Sequence, residues 1–228
     1  MAYSVGSRAR LATQRDLAAA VDALNAQCRV MRQISKRAGV PDLRDYPANF
    51  AGLAKIVVGQ QVSAASASAI WSRVEAAFQP FEAQALLAAS AGELAALGLS
   101  GGKIRTLRAI SEAAHSGALD FRTLNRQSDD DIHATLTSLH GIGPWTADIY
   151  LLFALRRSDA FAAGDLALQL AAQRVFKLEE RPSPADLIAL AERWRPWRGA
   201  AARLLWADYG LQRPKPKPVP KSKTQQKP

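Results

Sequence analysis

An all-α fold is predicted for this chain of 228 residues by its composition and its pattern of apolar residues. Alanine, which has the highest helix propensity, occupies 45 positions. Aromatic residues make up only 7%, and strand-forming runs are few. Apolar residues recur instead with the spacing of amphipathic helices. With 48% hydrophobic residues, a chain of this length can bury one core or two small ones.

The first half of the chain divides into helical segments at recognisable breaks. Prolines between positions 41 and 47 end the first segment. The polar residues Gln60, Gln61 and Ser63 interrupt the apolar face of the second, and Gly117 is a stop signal after the last. Helices are predicted at residues 15–37, 50–78 (as one helix or two), and roughly 82–89, 91–97 and 102–115.

A helical hairpin is predicted further along the chain. Ser128 can cap a helix whose first turn holds three aspartates, which favour the positive end of the helix dipole. This helix ends near His140, and another begins at Pro144 after a Gly-Ile-Gly turn. Glycines permit a tight turn, and exposed N–H groups at a helix start can hold a phosphate oxygen. The residues alone leave open whether the glycines bind phosphate or only turn the chain.

The net charge of +10 is unevenly distributed. Residues 212–228 hold six basic residues and no acid, so the body of the chain is only mildly basic. We expect 212–228 to be a disordered basic tail, because its Pro-Lys pattern lacks apolar groups to bury. Such a tail can serve as a tether to DNA or RNA, or can simply increase solubility.

Several classes of protein are excluded by residues that the chain lacks. The single cysteine, Cys28, excludes a disulfide framework, a Cys-rich zinc site and a Cys-ligated iron–sulfur cluster. The three histidines lack metal-ligand spacing, and no nucleophile or Gly-rich phosphate-loop motif is present. No membrane partner is expected, since no apolar run reaches 18 residues and the start of the chain does not resemble a signal peptide. We expect a soluble intracellular protein.

One segment resembles a known family. The sequence LHGIGPWTA at 139–147, followed about twenty residues later by Gly164-Asp165-Leu166, is similar to the helix-hairpin-helix DNA glycosylase superfamily. Within it, the branch of 3-methyladenine DNA glycosylase II is most similar. Three more stretches support that branch, and the resemblance covers residues 45–210. They are VGQQVS at 58–63, GLS at 98–100 with Lys103, and RWRPWR at 193–198 running to Trp206.

The resemblance implies two helical lobes with the active site in the cleft between them. An inserted helical domain, 49–157, would hold the hairpin, and residues 1–48 and 158–211 would form the second lobe. The implied activity is that of a monofunctional DNA glycosylase of base excision repair. Such an enzyme flips an alkylated purine of the 3-methyladenine or 7-methylguanine class out of double-stranded DNA and hydrolyses its N-glycosidic bond, which leaves an abasic site.

Asp165 is implied as the catalytic residue, and Trp145 and Trp206 as the base pocket. A carboxylate beside the sugar stabilises the oxocarbenium ion that forms as the bond breaks. Indole faces attract a cationic base. Branches that also nick the strand have a lysine where this chain has Trp145, so no Schiff base is expected. Alternatively, Asp165 only caps the helix that follows it, and Trp145 and Trp206 are core residues. Trp194 and Trp197 are assigned to packing.

The resemblance also assigns contacts with DNA. Gln61 matches the residue that fills the gap left by the flipped base, although a relative has leucine there, and Gln60 and Ser63 lie beside it. The DNA-binding set is Gln60, Gln61, Ser63, Lys103, Gly141, Gly143 and Thr146. Alternatively, the polar residues only cap a helix break, and Lys103 is a solvated surface lysine.

The remaining expectations concern cofactors, oligomeric state and location. No cofactor is required, but hairpins of the family can bind a monovalent cation, Na or K, through backbone carbonyls. Here these belong to Thr137, Leu139 and Ile142. We expect a monomer, in the cytoplasm with the nucleoid if the source is bacterial and in the nucleus if it is eukaryotic.

Two other functions remain open at this stage. Ile149 and Ala207 stand where a relative has aromatic rings, which leaves the base preference open, and Ala162 replaces the usual proline before the catalytic loop. A glycosylase for deaminated or oxidised bases would need specific donors, because neutral bases are poorer leaving groups. A non-catalytic helix-hairpin-helix DNA-binding protein would need no Asp165.

Overall fold

The computed structural model describes residues 9–44 and 46–212, and this part of the chain is helical with no strand. The basic tail, from Arg213 onward, lies outside the described residues. The helices are α1 (Gln14–Gln27), α2 (Arg29–Ala38), α3 (Phe50–Gly59), α4 (Ala64–Ala77), α5 (Ala83–Ala88), α6 (Ala91–Ala96), α7 (Gly101–His115), α8 (Phe121–Leu124), α9 (Asp129–Thr137), α10 (Pro144–Ile149), α11 (Leu166–Phe176), α12 (Pro184–Ala191) and α13 (Arg198–Leu211). A π-helical turn, Tyr150–Ala154, continues α10, and a 3₁₀ turn, Glu192–Trp194, follows α12.

Most predicted helices are confirmed, and the caps explain where they begin. Ser128 accepts a hydrogen bond from the Asp131 N–H, as predicted for the first helix of the hairpin. Ser90 and Ser183 cap α6 and α12 in reciprocal capping boxes. The segment predicted at 15–37 is instead two helices, because Cys28 is extended at φ −136° and ψ 112°.

The helices pack in two groups. In one, α1, α2 and α11 pack with α13, and α12 packs on α11. In the other, α7 packs on α3, α5 and α6, while α10 packs on α9 and α3. The π-helical turn after α10 contacts α3, and its Leu152 carbonyl accepts a hydrogen bond from Arg203 of α13. This turn therefore links the two groups. The domain limits 49–157, and 1–48 with 158–211, remain predictions.

Buried and partly buried ion pairs stabilise residues 157–159, which lie between the two groups of helices. Arg157, fully buried, pairs with Asp129 at 2.9 Å, while Arg195 and Arg198 pair with Asp159. Within the described residues, no helix has the length and apolarity needed to cross a bilayer.

Candidate active site

Asp165 lies at the start of α11 and caps that helix. Its Oδ1 accepts a hydrogen bond from the Leu168 N–H at 3.1 Å, so the capping role considered from the sequence is present. The side chain is half-buried, and Gly164 before it is exposed. The positive end of a helix dipole favours a carboxylate at this position.

Two indole N–H groups also donate hydrogen bonds to the Asp165 carboxylate. Trp145 Nε1 donates to Oδ2 and Trp206 Nε1 donates to Oδ1, each at 2.9 Å. Trp145 belongs to α10 and Trp206 to α13, so three elements converge on one carboxylate that accepts three N–H donors. Both indoles are half-buried. The carboxylate is thereby held in one orientation, with most of its acceptor capacity used.

A column of aromatic rings extends from Trp206. The Phe153 ring stacks against Trp206 with centroids 5.5 Å apart and against Tyr46 with centroids 5.6 Å apart. Trp206 therefore has the packing contact that the alternative interpretation expected, in addition to its bond to Asp165. Trp194 is fully buried beside Phe161 and Phe176, which confirms its packing role, while Trp197 is half-buried.

Two arginines lie near this column, and neither was singled out from the sequence. The guanidinium carbon of Arg203 lies 5.0 Å from the Phe153 ring centroid, and that of exposed Arg44 lies 5.4 Å from it. Arg203 is buried and donates to the carbonyls of Gly199 and Leu152. Burial, with repulsion from neighbouring arginines, lowers the pKa of Arg203 to about 10. Positive charge therefore lies beside the Phe153 ring of the column.

A buried acid orients the helix that carries Trp206. Asp208 is fully buried, and its two carboxylate oxygens accept from Arg37 of α2 at 2.7 Å and from Arg174 of α11 at 2.5 Å. Because Asp165 caps the start of α11, these bonds fix Trp206 relative to Asp165. Loss of both arginines would leave the buried Asp208 carboxylate as an uncompensated charge, which is strongly destabilising.

The hairpin turn is tightly built. Gly141 has φ +78°, and a Cβ there would lie 1.8 Å from Thr106 Oγ1 of α7. Both the backbone conformation and the contact require glycine. Gly143 precedes α10, where its carbonyl accepts from the Thr146 N–H, and Pro144 occupies the first helical position.

The structure places the predicted DNA-binding side chains in different environments. Gln61 is exposed, with a left-handed φ of +53°. Ser63 caps α4 by accepting from the Ser66 N–H. Gln60 donates to Thr146 Oγ1, and Thr146 is buried, so its hydroxyl faces protein where we expected phosphate. Lys103 Nζ donates to the Val58 carbonyl at 2.8 Å and is not a solvated surface lysine; burial lowers its pKa.

The hairpin carbonyls fit a monovalent cation in donor type. Thr137 ends α9, so its carbonyl is one of those that lack a partner within the helix. The Leu139 carbonyl accepts from the Ile142 N–H at 3.1 Å and keeps a second lone pair. Among the described residues, no group of three or more His, Cys, Asp or Glu side chains could hold a metal.

Comparison with known proteins places this fold and site in a family. The model of the "HhH-GPD superfamily base excision DNA repair protein" matches residues 54–196, which is more than half of the chain. The chain therefore belongs to the HhH-GPD superfamily of base excision DNA repair proteins. This agrees with the hairpin at 139–147 and with Asp165 after it.

Particular relatives are similar to the chain in sequence and in fold. DNA-3-methyladenine glycosylase 1 of Schizosaccharomyces pombe is 34% identical over 120 residues, which are 50% of this chain and 53% of the relative. A solved structure of the S. pombe 3-methyladenine DNA glycosylase, in complex with abasic DNA, has a TM-score of 0.78 and 27% identity, covering 82% of this chain and 95% of that one. The DNA-3-methyladenine glycosidase of Bacillus halodurans has a TM-score of 0.71 and 32% identity, covering 84% and 89%. The chain spans about half the length of curated relatives that it matches.

Proposed function

We propose that the chain is a monofunctional DNA glycosylase that removes alkylated purines, of the 3-methyladenine and 7-methylguanine class, from double-stranded DNA. The observation that carries this proposal is the Asp165 carboxylate, held by the indole N–H groups of Trp145 and Trp206 at the start of α11. The family supports base excision of DNA, and the names of relatives, 3-methyladenine DNA glycosylases, support this substrate class.

Asp165 supplies a fixed negative charge to the reaction. As the N-glycosidic bond breaks, positive charge develops on the sugar of the flipped nucleotide. A carboxylate already oriented by three N–H donors stabilises that charge without reorganising. The same donors occupy three of the four lone pairs of the carboxylate and leave one, on Oδ2. Asp165 therefore acts mainly through its charge, and the remaining lone pair can orient the water that attacks the sugar and accept its proton.

The two tryptophans hold both the carboxylate and the base. Their N–H groups bond to Asp165, which leaves the free ring faces to stack against the flipped base. An alkylated purine that carries positive charge gains cation–π attraction and is a good leaving group, so no general acid is needed. The indole nitrogen of Trp145 has no free electron pair for attack on the sugar. The product is an abasic site in an intact strand.

A second candidate, excision of a neutral damaged base such as hypoxanthine, is favoured by one observation. The guanidiniums of Arg44 and Arg203 lie against Phe153, the ring next to Trp206 in the aromatic column. Positive charge next to the column repels a cationic base and not a neutral one. Because neutral bases leave less readily, this activity would be the slower of the two.

The contacts with DNA complete the proposal. Backbone N–H groups near Gly141 and Gly143 hold a phosphate, and the Thr137, Leu139 and Ile142 carbonyls would hold a monovalent cation whose charge favours that phosphate. Gln61, an exposed residue of its loop, enters the duplex. The protein acts as a monomer, in whichever compartment of the cell holds the DNA.

To test the proposal, the full chain is incubated with four DNA substrates. They are methylated duplex DNA and defined duplexes that contain hypoxanthine, 8-oxoguanine or no lesion. Released bases are measured by chromatography and strand breaks with and without alkali. We expect release of 3-methyladenine or 7-methylguanine, with breaks only after alkali. Faster release of hypoxanthine would favour the second candidate, and breaks without alkali would refute the monofunctional assignment.

A further inference from the structure

One side chain joins the 60–63 loop to the hairpin turn. Gln60 Nε2 donates to the Gly141 carbonyl at 3.2 Å and to Thr146 Oγ1 at 2.9 Å. An amide nitrogen carries two hydrogens, so both donors of this half-buried side chain are used. Its acceptors lie more than eighty residues away in sequence. Gln60 therefore has no N–H donor left for a DNA base in this arrangement.

Helix α7 supports both of the segments that Gln60 joins. Lys103 Nζ donates to the Val58 carbonyl at the end of α3, just before Gln60. A cation at a helix C-terminus is stabilised by the helix dipole. Three residues along α7, Thr106 packs against Gly141 so closely that no Cβ fits between them. The 60–63 loop and the hairpin turn are therefore both supported by the same helix, α7.

Gln61, the residue after Gln60, is held in a conformation that a free loop would rarely adopt. Its φ of +53° lies in the left-handed region. A residue other than glycine rarely adopts this conformation and keeps it only when its surroundings impose it. Gln60 on one side, and the Ser63 cap of α4 on the other, impose it here. The Cα–Cβ bond of the exposed Gln61 is thereby held in one direction.

We propose that Gln60 is a positioning residue that makes the 60–63 loop and the hairpin one rigid unit. Under the proposed function, on which this inference rests, the hairpin holds the DNA backbone while Gln61 enters the duplex. Coupling by Gln60 makes the two events simultaneous, so hairpin binding drives base flipping. Gln60 itself contacts protein and does not read the DNA.

The test compares Gln60→Met, which keeps the length of the side chain but removes its donors, with wild type. Gln79→Met is the matched control, since Gln79 Nε2 bonds only within its own segment, to the Glu75 carbonyl. Thr146→Val removes one acceptor, and the double variant Gln60→Met/Thr146→Val completes a double-mutant cycle. Thermal unfolding of every variant shows whether it is folded. If Gln60→Met fails to fold, Thr146→Val carries the test.

Two measurements separate positioning from a general structural effect. The first is single-turnover release of 7-methylguanine from a paired duplex and from a duplex in which the lesion lies opposite a one-nucleotide gap and flips more easily. We expect Gln60→Met to be about 3- to 10-fold slower on the paired duplex, the range of one or two lost hydrogen bonds. On the gapped duplex we expect a loss of less than about twofold, and the double variant should be no slower than Gln60→Met.

The second measurement does not depend on catalysis. A duplex with an abasic-site analogue opposite 2-aminopurine reports entry of the loop by its fluorescence. We expect Gln60→Met to bind with an affinity within about threefold of wild type, yet to give a clearly smaller fluorescence rise. If wild type binds but releases no base, the proposed function fails while this assay still decides the coupling. Equal losses on both duplexes, the wild-type fluorescence rise in Gln60→Met, or no binding by wild type would overturn the proposal.

Discussion

Asp165→Asn is expected to destabilise the protein as well as to inactivate it. The carboxylate accepts from Trp145 at Oδ2, and from Trp206 and Leu168 at Oδ1. An asparagine amide has one acceptor oxygen and one NH₂ donor. If its oxygen takes the Oδ1 position, two bonds survive and the NH₂ group faces the Trp145 N–H. The NH₂ group and the indole N–H then face each other as two donors without an acceptor, and a charge-assisted hydrogen bond is lost. Together these changes should lower the unfolding free energy by about 1.5–3 kcal/mol.

Urea unfolding at neutral pH measures this cost, and a second substitution isolates its origin. Asp165→Asn/Trp145→Phe removes the opposed donor while keeping an aromatic ring. We expect it to recover at least about 1 kcal/mol relative to Asp165→Asn, with base release still absent. The opposed donors are not the cause if Asp165→Asn is as stable as wild type, or if the double variant is less stable than Asp165→Asn.

Three further predictions follow from the site and the hairpin. Trp145→Phe and Trp206→Phe each keep a ring but lose a donor to Asp165, so single-turnover base release should fall at least about 10-fold. Gly141→Ala should lose about 2 kcal/mol or more in urea unfolding. Thr106→Ala should restore part of it, because the contact with Thr106 Oγ1 is removed while the contact with the Thr106 Cβ, at 2.9 Å, and the φ strain remain. Burial lowers the pKa of His133 below 6.5 and outweighs the negative charge of Asp130, which raises it. The unfolded chain therefore binds this proton more tightly than the folded chain does. Unfolding free energy should therefore fall as pH drops below 6.5, and less so in His133→Gln.

Much of the fold could be predicted because local signals agreed along the chain. The helices at 91–96, 101–115 and 166–176 are each capped by a serine or aspartate and carry periodic apolar residues. The break at Cys28 had no such signal, since neither glycine nor proline marks it. Helix α13 is rich in alanine and buried on nearly every side, so it shows little amphipathic periodicity.

Residues of the candidate site could be predicted only where they belong to a motif that is contiguous in sequence. Asp165, Trp145 and Trp206 were found by resemblance, but their mutual hydrogen bonds were not. The roles of Phe153 and Asp208 depend on partners distant in sequence; Arg37 lies 171 residues from Asp208. Such pairs leave no periodic pattern, and a lone acidic or aromatic residue in a helix has many ordinary explanations. The direct DNA contacts of the hairpin stay predictions.

The most direct test of the role of Asp165 is single-turnover release of 7-methylguanine from a defined duplex by wild type and by Asp165→Asn, with DNA affinity measured in parallel. We expect release by wild type and a rate at least about 100-fold slower for the variant, since removal of an electrostatic stabiliser costs about 100- to 1,000-fold. The two affinities should lie within about threefold of each other. Turnover by Asp165→Asn at a rate near that of wild type would contradict this role.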